Sequence, residues 1–178
     1  MSGWRPGDRR ADTKSMLRVD QAGEYGATRI YAGQLAVLRR NCPEAKLIAR
    51  MAAQEERHLK RFNALVADRR VRPTALQPLW NVAGFALGAA TALMSEKAAL
   101  ACTDAVETEI DRHYAGQLAD LGEDDPELSS DIAEFKAEEL EHRDTAREAG
   151  AAQAVGYPLL TAAIRAGCRV AIGLSKRI

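Results

Sequence analysis

Hydrophobic and polar positions in this chain recur with helical spacing. Apolar residues return every three to four positions through long segments, and no stretch alternates with the two-residue period of a β-strand. Short proline- and glycine-containing breaks separate the segments: Asn41-Cys42-Pro43, Arg72-Pro73, the acidic run Gly122 to Pro126, and Gly150 through Pro158. The pattern predicts helices over roughly 13–40, 44–70, 78–94, 96–121, 127–149 and 157–175. Pro43 suits the first turn of the second helix and Ser95 the start of the fourth. Four of the helices exceed about 20 residues, or about 30 Å, and the short linkers make sequential helices antiparallel neighbours. The expected fold is all-α: a long four-helix bundle with two additional helices, one apolar between the halves and one amphipathic at the C-terminus.

The apolar stripes of the four long helices are interrupted by ionisable residues. In the second helix Ile48 and Met51 lead to Glu55 and His58 before Leu59, Phe62, Leu65 and Val66 resume. In the fifth, Ile132 and Phe135 lead to Glu139 and His142, then Ala146 and Ala149. A Glu-x-x-His pair places both side chains on one helix face, one turn apart. The first helix carries Glu24 in a stripe with Leu17, Tyr31, Leu35 and Leu38, and the fourth carries Glu107 with Leu100, Ile110, Tyr114 and Leu121. Glu138 and Glu141 compete for the stripe of the fifth helix, but the Glu-x-x-His spacing selects Glu139. Glu56 and Glu109 point off their stripes and are expected in solvent.

An internal repeat ties these positions together. The hexapeptide YAGQLA occurs at Tyr31 to Ala36 and again at Tyr114 to Ala119, an offset of 83 residues. The same offset carries Glu24 onto Glu107, and an offset of 84 carries Glu55 onto Glu139 and His58 onto His142. A lone Glu-x-x-His in a Glu-rich helix is weak evidence, because a charged run is usually a solvated face. Two of them, each paired with a stripe glutamate, are not.

Four carboxylates buried in one bundle without compensation would each cost several kcal/mol or be forced to hold protons. Two divalent metal ions remove that cost, and mixed carboxylate and imidazole ligands without thiolate favour iron or manganese over structural zinc. One glutamate from each of two helices and a Glu-x-x-His from each of the other two is the ligand pattern of ferritin-like di-iron and di-manganese proteins. The expected metal ligands are Glu24, Glu55, His58, Glu107, Glu139 and His142.

Composition narrows the remaining classes. Twenty-five basic and twenty-five acidic residues balance to zero formal charge, which gives no general attraction for nucleic acid. A chain of 178 residues suits one domain, 1–178, with residues 1–12 expected to be flexible. Cys42, Cys102 and Cys168 are odd in number and widely spaced, which fits core packing in a reducing compartment. The amino-terminal segment has neither the apolar run of a secretory signal nor the acid-poor character of a transit peptide.

The stretches RVDQAGEYGATRIYAGQLAVL (18–38), QEERHLKRFN (54–63), RVRPTALQPLWNVAGFALGAATAL (70–93), ACTDAVE (101–107), EELEHRD (138–144) and IRAGCRVAI (164–172) resemble the demethoxyubiquinone hydroxylases of ubiquinone biosynthesis. The resemblance covers most of the chain from about residue 17 onward, and GEYGA and RPTxLxPLWN are highly specific to that family. It implies a non-haem di-iron centre that uses O2 as co-substrate to hydroxylate a polyprenyl demethoxyquinol ring, with the family's ligands falling on the six residues above. It also implies Glu55 and Glu139 as bridging ligands, NADH as an electron source relayed through the quinol, and a lipid-binding accessory protein as partner. The implied location is the cytoplasmic face of a bacterial inner membrane, or the matrix face of the mitochondrial inner membrane for a processed form.

Other features carry two readings each. The apolar segment Leu79 to Met94 holds Gly84-Phe-Ala-Leu-Gly88, whose spacing permits close helix approach. The last helix has Leu160, Ile164, Ala171 and Leu174 on one side, with Arg165, Arg169, Lys176 and Arg177 elsewhere. These helices lie on a membrane surface, or they cover each other or form a homo-oligomer interface. Gly23 and Gly26 flank Glu24 and imply close packing or ligand access, or simply a distorted helix. His113 and Tyr114 form a proton or electron relay beside the metals, or are a partly exposed histidine next to a core tyrosine. Competing functions with the same ligands are a ferroxidase or peroxide reductase and a non-enzymatic iron-storage bundle.

Overall fold

The computed structural model describes residues 11–178 of the chain. It consists of α1 (Thr13–Val37), α2 (Pro43–Asp68), α3 (Gln77–Met94), α4 (Glu96–Leu121), α5 (Pro126–Glu148) and α6 (Tyr157–Ser175), with a single 3-10 turn at Ala151–Gln153. No strand occurs among the described residues. Side chains cap the long helices: Asp12 accepts from the Ser15 amide, Cys42 Sγ from Ala45, Ser95 from Ala98 and Asp125 from Leu128. Proline occupies the first turn of α2, α3, α5 and α6, where its missing N–H has no helical partner to lose. Of the start expected to be flexible, residues 1–10 lie outside the described residues. Ala11 and Asp12 are held, Ala11 by its amide donating to Asp124 Oδ2 at 3.2 Å and Asp12 by capping α1.

The helices α1 and α2 pair as one hairpin and α4 and α5 as another, while α3 folds back onto α1 and α6 onto α4. The sequence repeat therefore has a three-helix counterpart, and the two additional helices occupy equivalent places in the two halves. Both open on the same dipeptide, Pro78-Leu79 and Pro158-Leu159. Together they cover the α1/α4 side of the bundle, and Trp80 Nε1 donates to Ser175 Oγ at 3.0 Å to join the start of one to the end of the other. On the opposite side a column of ion pairs joins α2 to α5: Arg57 to Glu138, Arg61 to Glu127 and Asp131, and Arg69 to Asp125 and Glu127.

The contact between α1 and α3 depends on glycine. A Cβ at Gly33 would collide with the carbonyl oxygen of Phe85, and one at Gly88 with that of Ile30. This is the close approach that the Gly84/Gly88 spacing predicts. At Gly23 and Gly26 an added Cβ would meet nothing within 4 Å, so the packing expected there is supplied instead by Gly33 and Gly88.

Glu109 corrects the sequence reading. It is 2 % exposed, not solvated, and accepts from Arg165 Nε at 2.8 Å and Arg169 Nη1 at 2.6 Å. Two of the arginines off the apolar side of α6 thus reach α4 and anchor that helix to it. Glu56 is exposed as expected. All three cysteines pack as expected: Cys102 is buried, Cys168 on α6 packs against its cluster, and Cys42 packs at the edge of the core while also capping α2. Burial pushes the thiols of Cys102 and Cys168 up to about 12, so both stay protonated.

Two apolar clusters close the ends of the bundle. One contains Leu17, Phe62, Leu65, Leu121, Leu128, Ile132 and Phe135, the other Leu38, Ile48, Met51, Leu100 and a run of alanines. Between them lie the polar residues of the stripes.

Candidate metal centre

Each long helix delivers its stripe carboxylate to the same level of the bundle. Glu24 comes from α1, Glu55 and His58 from α2, Glu107 from α4, and Glu139 and His142 from α5; all six are 2 % exposed or less. Their donor atoms form two sets, Glu24, Glu55, His58 and Glu139 in one and Glu55, Glu107, Glu139 and His142 in the other. Within each set the atoms lie within 4.8 Å of one another. Glu55 and Glu139 belong to both. Glu141 is exposed, and Glu138 lies just outside the cluster.

The histidines face inward through the same atom. His58 Nδ1 lies 3.1 Å from Glu139 and 3.4 Å from Glu24, and His142 Nδ1 lies 3.0 Å from Glu139 and 3.2 Å from Glu55. Their outward nitrogens have partners across the α2/α5 interface: Glu138 at 2.7 Å from His58 Nε2, and Gln54 Oε1 at 2.9 Å from His142 Nε2. Phe135 stacks on the His58 ring with centroids 4.1 Å apart, so apolar packing restrains it as well.

Four buried carboxylate oxygens in the cluster, Glu24 Oε2, both oxygens of Glu55 and Glu107 Oε2, receive no hydrogen bond. Native interiors rarely leave such acceptors unsatisfied. Their convergence, together with hard oxygen and imidazole donors, fits a pair of divalent cations. Without cations, burial is the main force pushing the carboxyl groups of Glu55, Glu107 and Glu139 upward. Repulsion from Glu139 adds to it at Glu55 and Glu107, while a hydrogen bond with His58 opposes it at Glu139. Burial alone would lower His58, but its bonds with Glu139 and Glu24 outweigh this and carry it up to about 10; burial lowers His142.

The residues expected to form a relay occupy different places. Tyr114 is buried and donates its hydroxyl to Glu24 Oε1, whereas His113, 10 % exposed, sits 3.0 Å from buried Asp20 Oδ1. Gln117 Nε2 donates to the same Asp20 oxygen at 2.8 Å. Sequence reasoning missed the counterpart of Tyr114. Tyr31 donates to Glu107 Oε1 at 2.8 Å, so each tyrosine of the repeated hexapeptide serves the glutamate of the other half. A long side chain on a helix leans toward that helix's N-terminus, which turns the Tyr31 hydroxyl back toward the carboxylates, where Glu107 meets it. The repeat itself was the signal.

A seam between α1 and α4, lined by Ala27, Ile30, Tyr31, Thr103, Val106 and Glu107, is too tight to hold a water molecule. Ile30 and Val106 also belong to the apolar cluster beneath α3 and α6. Beyond it, Leu79, Val82, Leu93 and Met94 of α3 and Leu159 and Val170 of α6 are exposed. No described helix is long and apolar enough to cross a membrane.

The family model described as ubiquinone biosynthesis protein COQ7 matches residues 11–175. A 3-demethoxyubiquinol 3-hydroxylase of Rhodospirillum rubrum is 57 % identical over 162 residues, covering 91 % of this chain and 76 % of its own. The human mitochondrial NADPH-dependent 3-demethoxyubiquinone 3-hydroxylase is 52 % identical over 95 % of this chain and 79 % of its own. The mitochondrial 5-demethoxyubiquinone hydroxylase of Saccharomyces cerevisiae is 45 % identical, covering 92 % and 77 %.

Proposed function

This chain belongs to the COQ7 family of ubiquinone biosynthesis proteins, and from that premise we propose that it hydroxylates the ring of a polyprenyl demethoxyquinol at a dinuclear iron centre. The observation that carries the reading is the pair of buried four-residue sets sharing Glu55 and Glu139. Glu24 and His58 would hold one ion, Glu107 and His142 the other, with Glu55 and Glu139 between them. Manganese fits the same donors. Bound there, iron supplies the redox chemistry by which O2 and two electrons put one oxygen atom on the ring carbon and release the other as water. NADPH, which the human relative's name specifies, is the proposed electron source in place of the NADH expected from resemblance.

The chain's own residues prepare that chemistry. Tyr31 and Tyr114 orient Glu107 and Glu24 by one hydrogen bond each. The apolar clusters at both ends exclude water from the carboxylates, which strengthens their attraction for cations. His113 with Asp20 provides a polar contact between the surface and the interior of α1, suited to moving protons toward the site. The exposed apolar residues of α3 and α6 support docking on a membrane surface that holds the polyprenyl tail. Peripheral attachment at an inner membrane follows from this reading, in keeping with the mitochondrial relatives.

Quinone profiling of cells in which this chain is the sole enzyme for the step tests the proposal. Glu55→Ala should accumulate the demethoxy precursor, and a normal quinone pool in that variant would refute it.

A further inference from the structure

The two halves of the centre match in their tyrosine–glutamate bonds and inward histidine nitrogens, and differ around the histidine rings, where Phe135 stacks on His58 and the outward nitrogens meet unlike partners. Tyr114 on Glu24 has its counterpart in Tyr31 on Glu107, and His58 Nδ1 has its counterpart in His142 Nδ1. The residues at the outward nitrogens are also equivalent in the repeat, since Gln54 and Glu138 are separated by the offset of 84 residues that relates the two Glu-x-x-His pairs. One is a neutral amide and the other a carboxylate. Glu138 lies 2.7 Å from His58 Nε2, while Gln54 lies 2.9 Å from His142 Nε2. Arg57 contacts Glu138 at 2.8 Å but is itself 56 % exposed, so solvent screens its charge. It does not reduce Glu138 to the equivalent of an amide.

We propose that Glu138 and Gln54 are positioning residues that make the two metal positions unequal, with the His58 side binding its ion more tightly than the His142 side. This rests on the reading of the cluster as a two-ion site. A carboxylate accepting the outward N–H fixes the imidazole tautomer and makes the inward nitrogen a stronger donor, whereas an amide oxygen fixes the tautomer with less gain in basicity. The ligands themselves are balanced, each side having one unshared glutamate, one histidine and the same two shared glutamates. The inequality therefore originates one layer out.

Titration of metal-free protein with Mn2+ tests this, following unbound ion by its electron paramagnetic resonance. The wild type should bind two ions per chain. Glu138→Gln makes the two outer partners alike and should weaken the tighter class by about 10- to 100-fold, the range typical for loss of such partners. Gln54→Glu should strengthen the weaker class. Helix content from circular dichroism shows whether each variant folds, and if Glu138→Gln does not, Gln54→Glu alone decides. A tighter class unmoved by Glu138→Gln, or a weaker class unmoved by Gln54→Glu, overturns the proposal. No Mn2+ bound by the wild type would overturn the two-ion reading instead.

Discussion

The hydroxyl of Tyr31, on α1, donates to Glu107 on α4 at 2.8 Å, so the first half of the repeat orients a carboxylate of the second. Tyr114 does the reverse for Glu24. Helix α1 and helix α4 are thereby cross-linked at the candidate centre, and neither half-site is complete without the other half of the chain. Burial, with added repulsion from Glu107 at Tyr31 and from Glu24 at Tyr114, pushes both phenols well above the ordinary tyrosine range and keeps them hydrogen-bond donors.

Tyr31→Phe removes the donor and leaves both Glu107 oxygens without a hydrogen bond. Such a loss costs about 1–3 kcal/mol in the metal-free protein, measurable by denaturant unfolding. Mn2+ affinity should fall about 10-fold or more. Equal Mn2+ affinity in Tyr31→Phe and wild type would show that the tyrosine does not orient a ligand.

Glycine substitutions on α1 should separate sharply. Gly33→Ala drives a methyl group into the Phe85 carbonyl and should destabilise by about 1–3 kcal/mol or more. Gly23→Ala meets open space on an exposed helical face and should stabilise by about 0.5–1 kcal/mol. Chemical denaturation of both metal-free variants checks the pair, and similar effects from the two would contradict the packing of α3 on α1.

Glu109→Ala frees Arg165 and Arg169 from α4. Both arginines are more than 40 % exposed, so solvent recovers part of the loss and the expected cost is about 1–2 kcal/mol. Hydrogen exchange should accelerate mainly in α6. Uniform acceleration through the bundle would mean that Glu109 supports more than that helix.

Metal removal should leave a distinctive pH dependence. Glu55, Glu107 and Glu139 are raised above the ordinary Glu value of 4.5, so the folded state binds their protons more tightly than the unfolded state does. His58, raised to about 10, acts in the same direction. Stability of the metal-free chain therefore falls as pH rises above that ordinary value, with His58 adding its loss above 6.5 and His142, lowered by burial, opposing the fall below 6.5. Ions bind the deprotonated set, so Mn2+ should stabilise more at higher pH. Thermal unfolding from about pH 5 to 8 should show the gap between loaded and metal-free protein widening with pH, and a constant gap would contradict this. Asp125, lowered by its bond to Arg69 despite partial burial, acts oppositely, losing its contribution as pH falls below 3.8, outside that window.

Helical periodicity and proline breaks were enough to place the six helices, and Glu24, Glu55, His58, Glu107, Glu139 and His142 were visible because charge in an apolar stripe is anomalous. What lay outside the stripes was harder to read. Periodicity assigns a residue to a face but not to a partner, so it placed Tyr31 in the core without showing that it reaches Glu107. Glu109 looked solvated because nothing along α4 indicates that arginines of a helix more than 50 residues away will close over it. Gln54 and Glu138 each stand immediately before a stripe glutamate, on a face that is outward until α2 and α5 meet. Only the offset of the repeat marks them as equivalent.

Isotopic labelling tests the central claim most directly. Protein reconstituted with Fe2+ and supplied with a short-chain demethoxyubiquinol, NADPH and 18O2 should yield the hydroxylated quinol carrying one 18O atom. The product should be lost in Glu139→Gln together with bound iron. Absence of product from iron-loaded wild type, or oxygen incorporated from water, would contradict the assignment.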